Sequence, residues 1–139
     1  MRDLEYILAT TRCAHDNLGF IPAPTIQSFH LDRGLWLPVT TRRGRRVGFM
    51  LHGPVRSGLP LRIYQCVVEP DHRLREAATR AVDELRKRAR DCGATEIILR
   101  CRENLPANAF WLAIGAQLID QHPGGIRYRS PVNEYSLKT

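Results

Sequence analysis

The chemistry this chain offers is concentrated where a strand runs into a helix. Residues 61–78, LRIYQCVVEPDHRLREAA, begin with Ile63, Tyr64, Cys66, Val67 and Val68. This nearly continuous apolar or aromatic run predicts a strand covered on both faces. Glu69-Pro70-Asp71 breaks it. Leu74, Ala77, Ala78, Ala81, Val82, Leu85, Ala89 and Cys92 then recur three or four apart, predicting a long amphipathic helix, and Gly93 stands where a C-terminal glycine belongs. A buried strand, a tight turn and a helix N-terminus together hold an anion well. The first backbone N–H groups of a helix have no intrahelical partner, and the helix dipole favours negative charge there.

Other groups with chemical potential are weaker signals. Arg42, Arg43, Arg45 and Arg46 crowd one turn around Gly44, as a phosphate clamp or as a solvated hairpin tip. Cys13, Cys66, Cys92 and Cys101 are far apart and form no C-x-x-C pair, so a metal site is not expected. Cys66, Cys92 and Cys101 fall on apolar faces of predicted elements and read as small buried hydrophobes.

The elements that position these groups follow in order. Residues 3–16 read as a helix and residues 24–32 as a second, short one with Pro24 in its first turn. Residues 34–41 and 47–52 read as strands joined by the arginine turn, with Pro38 marking an edge or bulge. After the central strand and long helix, residues 95–102 predict a buried strand. Residues 106–115 predict a largely buried helix ended by Gly115, and residues 116–120 and 128–137 two last strands. The order is helix, helix, strand, strand, strand, helix, strand, helix, strand, strand. With 139 residues, no repeat and no linker, a single domain over residues 1–139 is expected. No apolar run is long enough for a membrane span and no signal-peptide layout opens the chain, so a cytoplasmic protein without a membrane partner is expected. The formal net charge of +7, nearly all arginine, fits an anionic partner, a GC-rich coding bias, or cations gathered for a phosphorylated cofactor.

Two motifs resemble those of one family. Val68, Pro70, Arg73 and Ala78 resemble the pyrophosphate-binding turn Q/R-x-x-G-x-G/A of the GNAT N-acetyltransferases, with Glu76 in place of the middle glycine. Asn104, Ala107, Trp111 and Gly115 resemble the family's N-x-x-A-x-x-x-Y-x-x-x-G-F signature, with Trp111 for tyrosine and Ala116 for phenylalanine. The chain looks similar to small phage- or bacterial-type members. The resemblance implies a mixed α/β (α+β) GNAT acyl-CoA N-acyltransferase fold, with about six strands, about four helices and the family's first strand absent. It implies acetyl-CoA as cosubstrate and an amine as acceptor, in a monomer or homodimer.

The resemblance also implies roles. The pyrophosphate would lie on the N–H groups of Leu74, Arg75, Glu76, Ala77, Ala78 and Thr79, with Arg73 and Arg75 supplying charge. Val67 and Val68 would line the pantetheine arm, and an N–H there would stabilise the oxyanion. Glu76 would be turned away by an ion pair with Arg80, one helical turn on. Glu103, Glu69 or His72 would take the amine's proton, and Tyr64 or Tyr128 would serve as acid in place of Trp111. Asn104 and Asn108 would bond the cofactor, with Asn104 equally suited to cap the next helix, and Trp111 would line the tunnel or the core. Two other readings follow from the departures: a GNAT-fold protein that binds or modifies nucleic acid, and a catalytically inactive CoA-binding member.

Overall fold

The computed structural model describes residues 2–13, 21–69, 71, 74–124 and 130–139. Pro70, His72, Arg73 and residues 125–129, including Tyr128, lie outside the described residues, as do the side chains of Arg12 and Cys13. The elements are helix α1 (Asp3–Cys13), helix α2 (Ala23–Thr25) continuing as a π-helix (Ile26–Leu31), and strands β1 (Trp36–Thr40), β2 (Arg46–His52) and β3 (Leu61–Val68). Helix α3 (Arg75–Asp91), strand β4 (Glu96–Arg102), helix α4 (Ala107–Ala113) and strands β5 (Gln117–His122) and β6 (Val132–Lys138) complete the chain.

One mixed sheet runs β1-β2-β3-β4-β6-β5. Parallel pairing joins Leu61–Ile63 of β3 to Ile97–Leu99 of β4. A parallel neighbour cannot be reached by a tight hairpin, and α3 makes the crossover. β1/β2, β4/β6 and β5/β6 are antiparallel. Pro38 lies on β1, an edge strand, where the N–H it lacks does no harm to a ladder. Among the described residues, the first element is α1.

The chain groups into two compact units. Met1–Gly53 with Tyr64–Val82 forms one, and Pro54–Ile63 with Asp83–Thr139 the other. In the first, Ile7, Ile26, Phe49, Leu51 and Val67 form a buried cluster that gathers Leu4, Tyr6, Leu8, Ile21, Leu31 and Trp36. β2 is buried from Val47 to His52. It needs glycine at position 48: a Cβ there would sit 2.0 Å from the Val67 carbonyl oxygen. In the second unit Leu61, Leu85, Ala89, Ile97, Leu99, Tyr135 and Leu137 are buried. Gly93, at φ 77°, ends α3 as its position implied, and a Cβ on it would meet Ser57 Oγ at 2.9 Å.

Four local expectations need correction. β3 alternates rather than being covered on both faces, with Arg62 and Tyr64 exposed. Cys92 is exposed, because it falls past the last turn of α3, and Cys66 is half-buried; Cys101 alone of the three is buried. Burial pushes the Cys101 thiol up to about 11. The helix at 24–32 changes pitch: Asp32 N–H donates to the Gln27 carbonyl (2.9 Å) and Leu35 N–H to that of His30 (2.7 Å), both five residues apart. Helix α4 is mostly exposed, and Trp111 is its buried residue.

Candidate functional site

In the first unit, the candidate residues sit at the exit of β3 and the first turns of α3. Glu69 N–H donates to the Val47 carbonyl (2.9 Å), and Asp71 and Leu74 N–H close the turn onto the carbonyls of Glu69 and Asp71 (2.8 and 2.9 Å). Leu74, Ala77 and Ala78 are buried, which leaves Arg75, Glu76 and Thr79 to face outward or half outward. Thr79 spends its hydroxyl on the Arg75 carbonyl, at 2.9 Å.

The β1–β2 turn reaches these residues. Arg42 bonds the Glu76 carboxylate, Arg45 Nη1 lies 3.4 Å from Glu69 Oε2, and Arg80 Nη2 donates to the Thr40 carbonyl at 2.9 Å. The expected Glu76–Arg80 pair is therefore replaced. Arg80 is drawn to a backbone carbonyl, and the partner of Glu76 comes from a hairpin more than thirty residues earlier. The turn is solvent-exposed, as a hairpin tip would be, and is also tied to α3 by these contacts. Helical spacing cannot reveal such a contact.

Tyr64 stands half exposed on β3, edge-on to His30 (centroids 5.8 Å apart) and Phe29 (6.3 Å). A Cβ on Gly53 would approach its ring to 3.2 Å. His30 is buried on the π-helix, and its Nδ1 lies 3.1 Å from the His52 carbonyl oxygen. A carbonyl accepts only, so that nitrogen carries the proton. Burial lowers the His30 pKa below its ordinary value, against the raising effect of the Leu35 and His52 carbonyls.

In the second unit, Glu103, Asn104, Asn108 and Trp111 cluster at the β4–α4 connection. Asn108 Nδ2 lies 2.7 Å from the Arg102 carbonyl, 3.2 Å from that of Glu103 and 2.7 Å from that of Leu105. Its Oδ1 accepts from Tyr135 Oη (2.7 Å) and Asn133 Nδ2 (3.0 Å). That uses every donor and lone pair of the amide. The network continues through Gln121 Nε2, which reaches Asn133 Oδ1 at 3.0 Å and the Glu103 carboxylate at 3.4 Å. Asn104 is not the helix cap: that position is Pro106, with no side-chain bond, and Asn104 Oδ1 accepts from Ser130 at 3.3 Å. Trp111 is buried beside the Phe110 ring.

Sequence reasoning missed Asn133, Tyr135 and Gln121, because strand register, not local pattern, places them on the Asn108 side of the sheet. Asp120, His122 and Glu134 also gather within 4.8 Å, and there Arg100 Nε already donates to Glu134 at 3.0 Å. Among the described residues, no helix is long and apolar enough to cross a membrane.

Comparison with known proteins gives this arrangement a class. The Acetyltransferase (GNAT) family pattern matches residues 7–116, and the chain belongs to that family. Solved structures share its fold at low identity. Ard1 from Thermoplasma volcanium superposes with a TM-score of 0.78 at 18% identity, over 99% of this chain and 91% of its own. A ribosomal-protein-alanine N-acetyltransferase from Brucella melitensis gives 0.74 at 18%, over 99% and 94%. YncA from Salmonella typhimurium, solved with acetyl-CoA, gives 0.70 at 16%, over 99% and 90%. No curated protein sequence matches the chain.

Proposed function

We propose that the chain acts as a single GNAT domain that transfers an acetyl group from acetyl-CoA to an amine. One observation carries this reading: in a chain of this family, β3 delivers a tight turn into the N-terminus of a 17-residue helix, with guanidinium groups brought to the same turn. The first N–H groups of α3 and these cations suit a pyrophosphate. Arg73 belongs to the turn by sequence. Glu76, which would oppose an anion, is neutralised by Arg42.

Val67 and Val68 follow the part of β3 that pairs with β4, and they are assigned to the pantetheine arm and the thioester carbonyl. Glu103 is assigned as the base for the amine, since Gln121 donates toward its carboxylate while Glu69 is engaged by Arg45. Tyr64 is assigned to the acceptor's side, as an exposed aromatic backed by Phe29 and His30. Asn108 holds the loop that carries Glu103 and Asn104.

Calorimetry with acetyl-CoA and CoA, on wild type and Arg73→Ala, tests the reading. Binding in the micromolar range (roughly −8 kcal/mol) that the substitution abolishes is expected. An amine panel follows, in which Glu103→Gln lowers turnover and leaves CoA affinity unchanged. Wild type that binds neither form at millimolar concentration overturns the proposal.

A further inference from the structure

Arg42 and Glu76 have no counterpart in the motif this chain resembles. Arg42 comes from the β1–β2 turn, yet its guanidinium bonds a carboxylate on the second residue of α3. That is the place at which an anion on the helix N-terminus would need a cation. Both side chains are largely exposed, at 77% and 59%, so the pair itself adds little to stability. The turn is nevertheless held there by two other contacts, Arg80 to the Thr40 carbonyl and Arg45 to Glu69. The backbone closes it as well, with Gly44 N–H on the Thr41 carbonyl and Thr41 N–H on that of Arg45, both at 2.9 Å. A guanidinium on a fixed turn, facing a carboxylate on a helix N-terminus, is a cation already oriented for an oxyanion.

We infer that Arg42 is a phosphate-binding residue of the cofactor site and that Glu76 is its resident, exchangeable anion. This rests on the acetyl-CoA reading above. In the unliganded protein Glu76 occupies the guanidinium. When the diphosphate of CoA reaches α3, Arg42 passes from carboxylate to phosphate oxygen, and Glu76 is released to solvent. Glu76 thereby competes with the ligand. It weakens cofactor binding while keeping the cation oriented, which a glycine at this position would not do.

The test is a double-mutant cycle on CoA affinity, by calorimetry at two salt concentrations, with wild type, Arg42→Ala, Glu76→Gln and the double variant. Arg56→Ala, in an exposed loop of the other unit, controls for bulk charge. Arg42→Ala is expected to weaken CoA about tenfold, both alone and on top of Glu76→Gln, with a shallower salt dependence, since a charged hydrogen bond is lost. Glu76→Gln alone is expected to tighten CoA a few-fold, and Arg56→Ala to change it less than about twofold, as an exposed, screened charge does. An Arg42→Ala defect that disappears once Glu76→Gln is also present overturns the inference, because Arg42 would then serve only to neutralise Glu76. So does an Arg42→Ala effect no larger than that of Arg56→Ala. Wild type that does not bind CoA overturns the acetyl-CoA reading, and this inference with it.

Discussion

Two strand-to-helix connections in this chain look alike in sequence and are built in opposite ways. The β3–α3 connection leads into seventeen helical residues and is surrounded by side-chain charge: Arg42 on Glu76 and Arg45 on Glu69. The β4–α4 connection leads into seven helical residues and is held by neutral groups whose bonding capacity is used internally, with Asn108 across three carbonyls and under Tyr135 and Asn133. In the first, the ordered groups are charged and solvent-facing, so they remain available to a ligand. In the second, the polar atoms around Asn108 satisfy each other, which rigidifies the loop and uses up the Asn108 amide. On the proposed function, the charge before the long helix is there to receive an anion. A saturated amide before a short helix marks a place that must keep its shape.

This contrast predicts unequal responses to substitution. The largest effect is expected where the first connection leans on the backbone. Gly48→Ala drives a Cβ into the Val67 carbonyl, so strands β2 and β3 must separate, at a cost of about 3 kcal/mol or more. Urea denaturation would show a strongly reduced midpoint, and a midpoint within error of wild type would mean that the close approach is not a constraint. The second connection should respond next. Asn108→Ala takes the amide from the carbonyls of Arg102, Glu103 and Leu105 and the acceptor from the Tyr135 hydroxyl, for about 2–3 kcal/mol, and Tyr135→Phe costs about 1 kcal/mol. Because they share one network, the double variant should lose less than the sum. Strict additivity in denaturant melts would break the claim that this loop is held as a unit.

The smallest effect is one of pH, and it belongs to the first unit. His30 is buried with its pKa lowered, so the unfolded chain binds a proton more readily than the folded one. Stability from this residue is fully present above its ordinary value of 6.5 and declines as pH falls below that value toward the folded one. Thermal melts between pH 8 and pH 5 should show a slope that His30→Gln flattens. An unchanged slope would assign the titration elsewhere.

Much of the architecture was legible in the chain. The 3–4 spacing from Leu74 to Ala89, the glycine after it and the apolar strand before it specify β3, α3 and their turn through local physics alone. Pro38 foretold an edge strand for the same reason, since a missing N–H excludes the interior of a ladder. The two signatures carried the family, which the match over residues 7–116 shows. What the sequence left open depends on groups distant along the chain. The partner of Glu76 is thirty-four residues before it, on another element, while the helical neighbour Arg80 turned to a strand carbonyl. Asn108, a cofactor ligand by resemblance, has its oxygen occupied by Tyr135 and Asn133, which the register of β6 places there. The alternation of β3, with Tyr64 on its open face, follows from which faces its neighbours cover. Periodicity reports how a segment folds on itself. Which charge meets which, and whether a polar side chain is left over for chemistry, is decided only when separate segments are brought together, because those bonds are made across the fold.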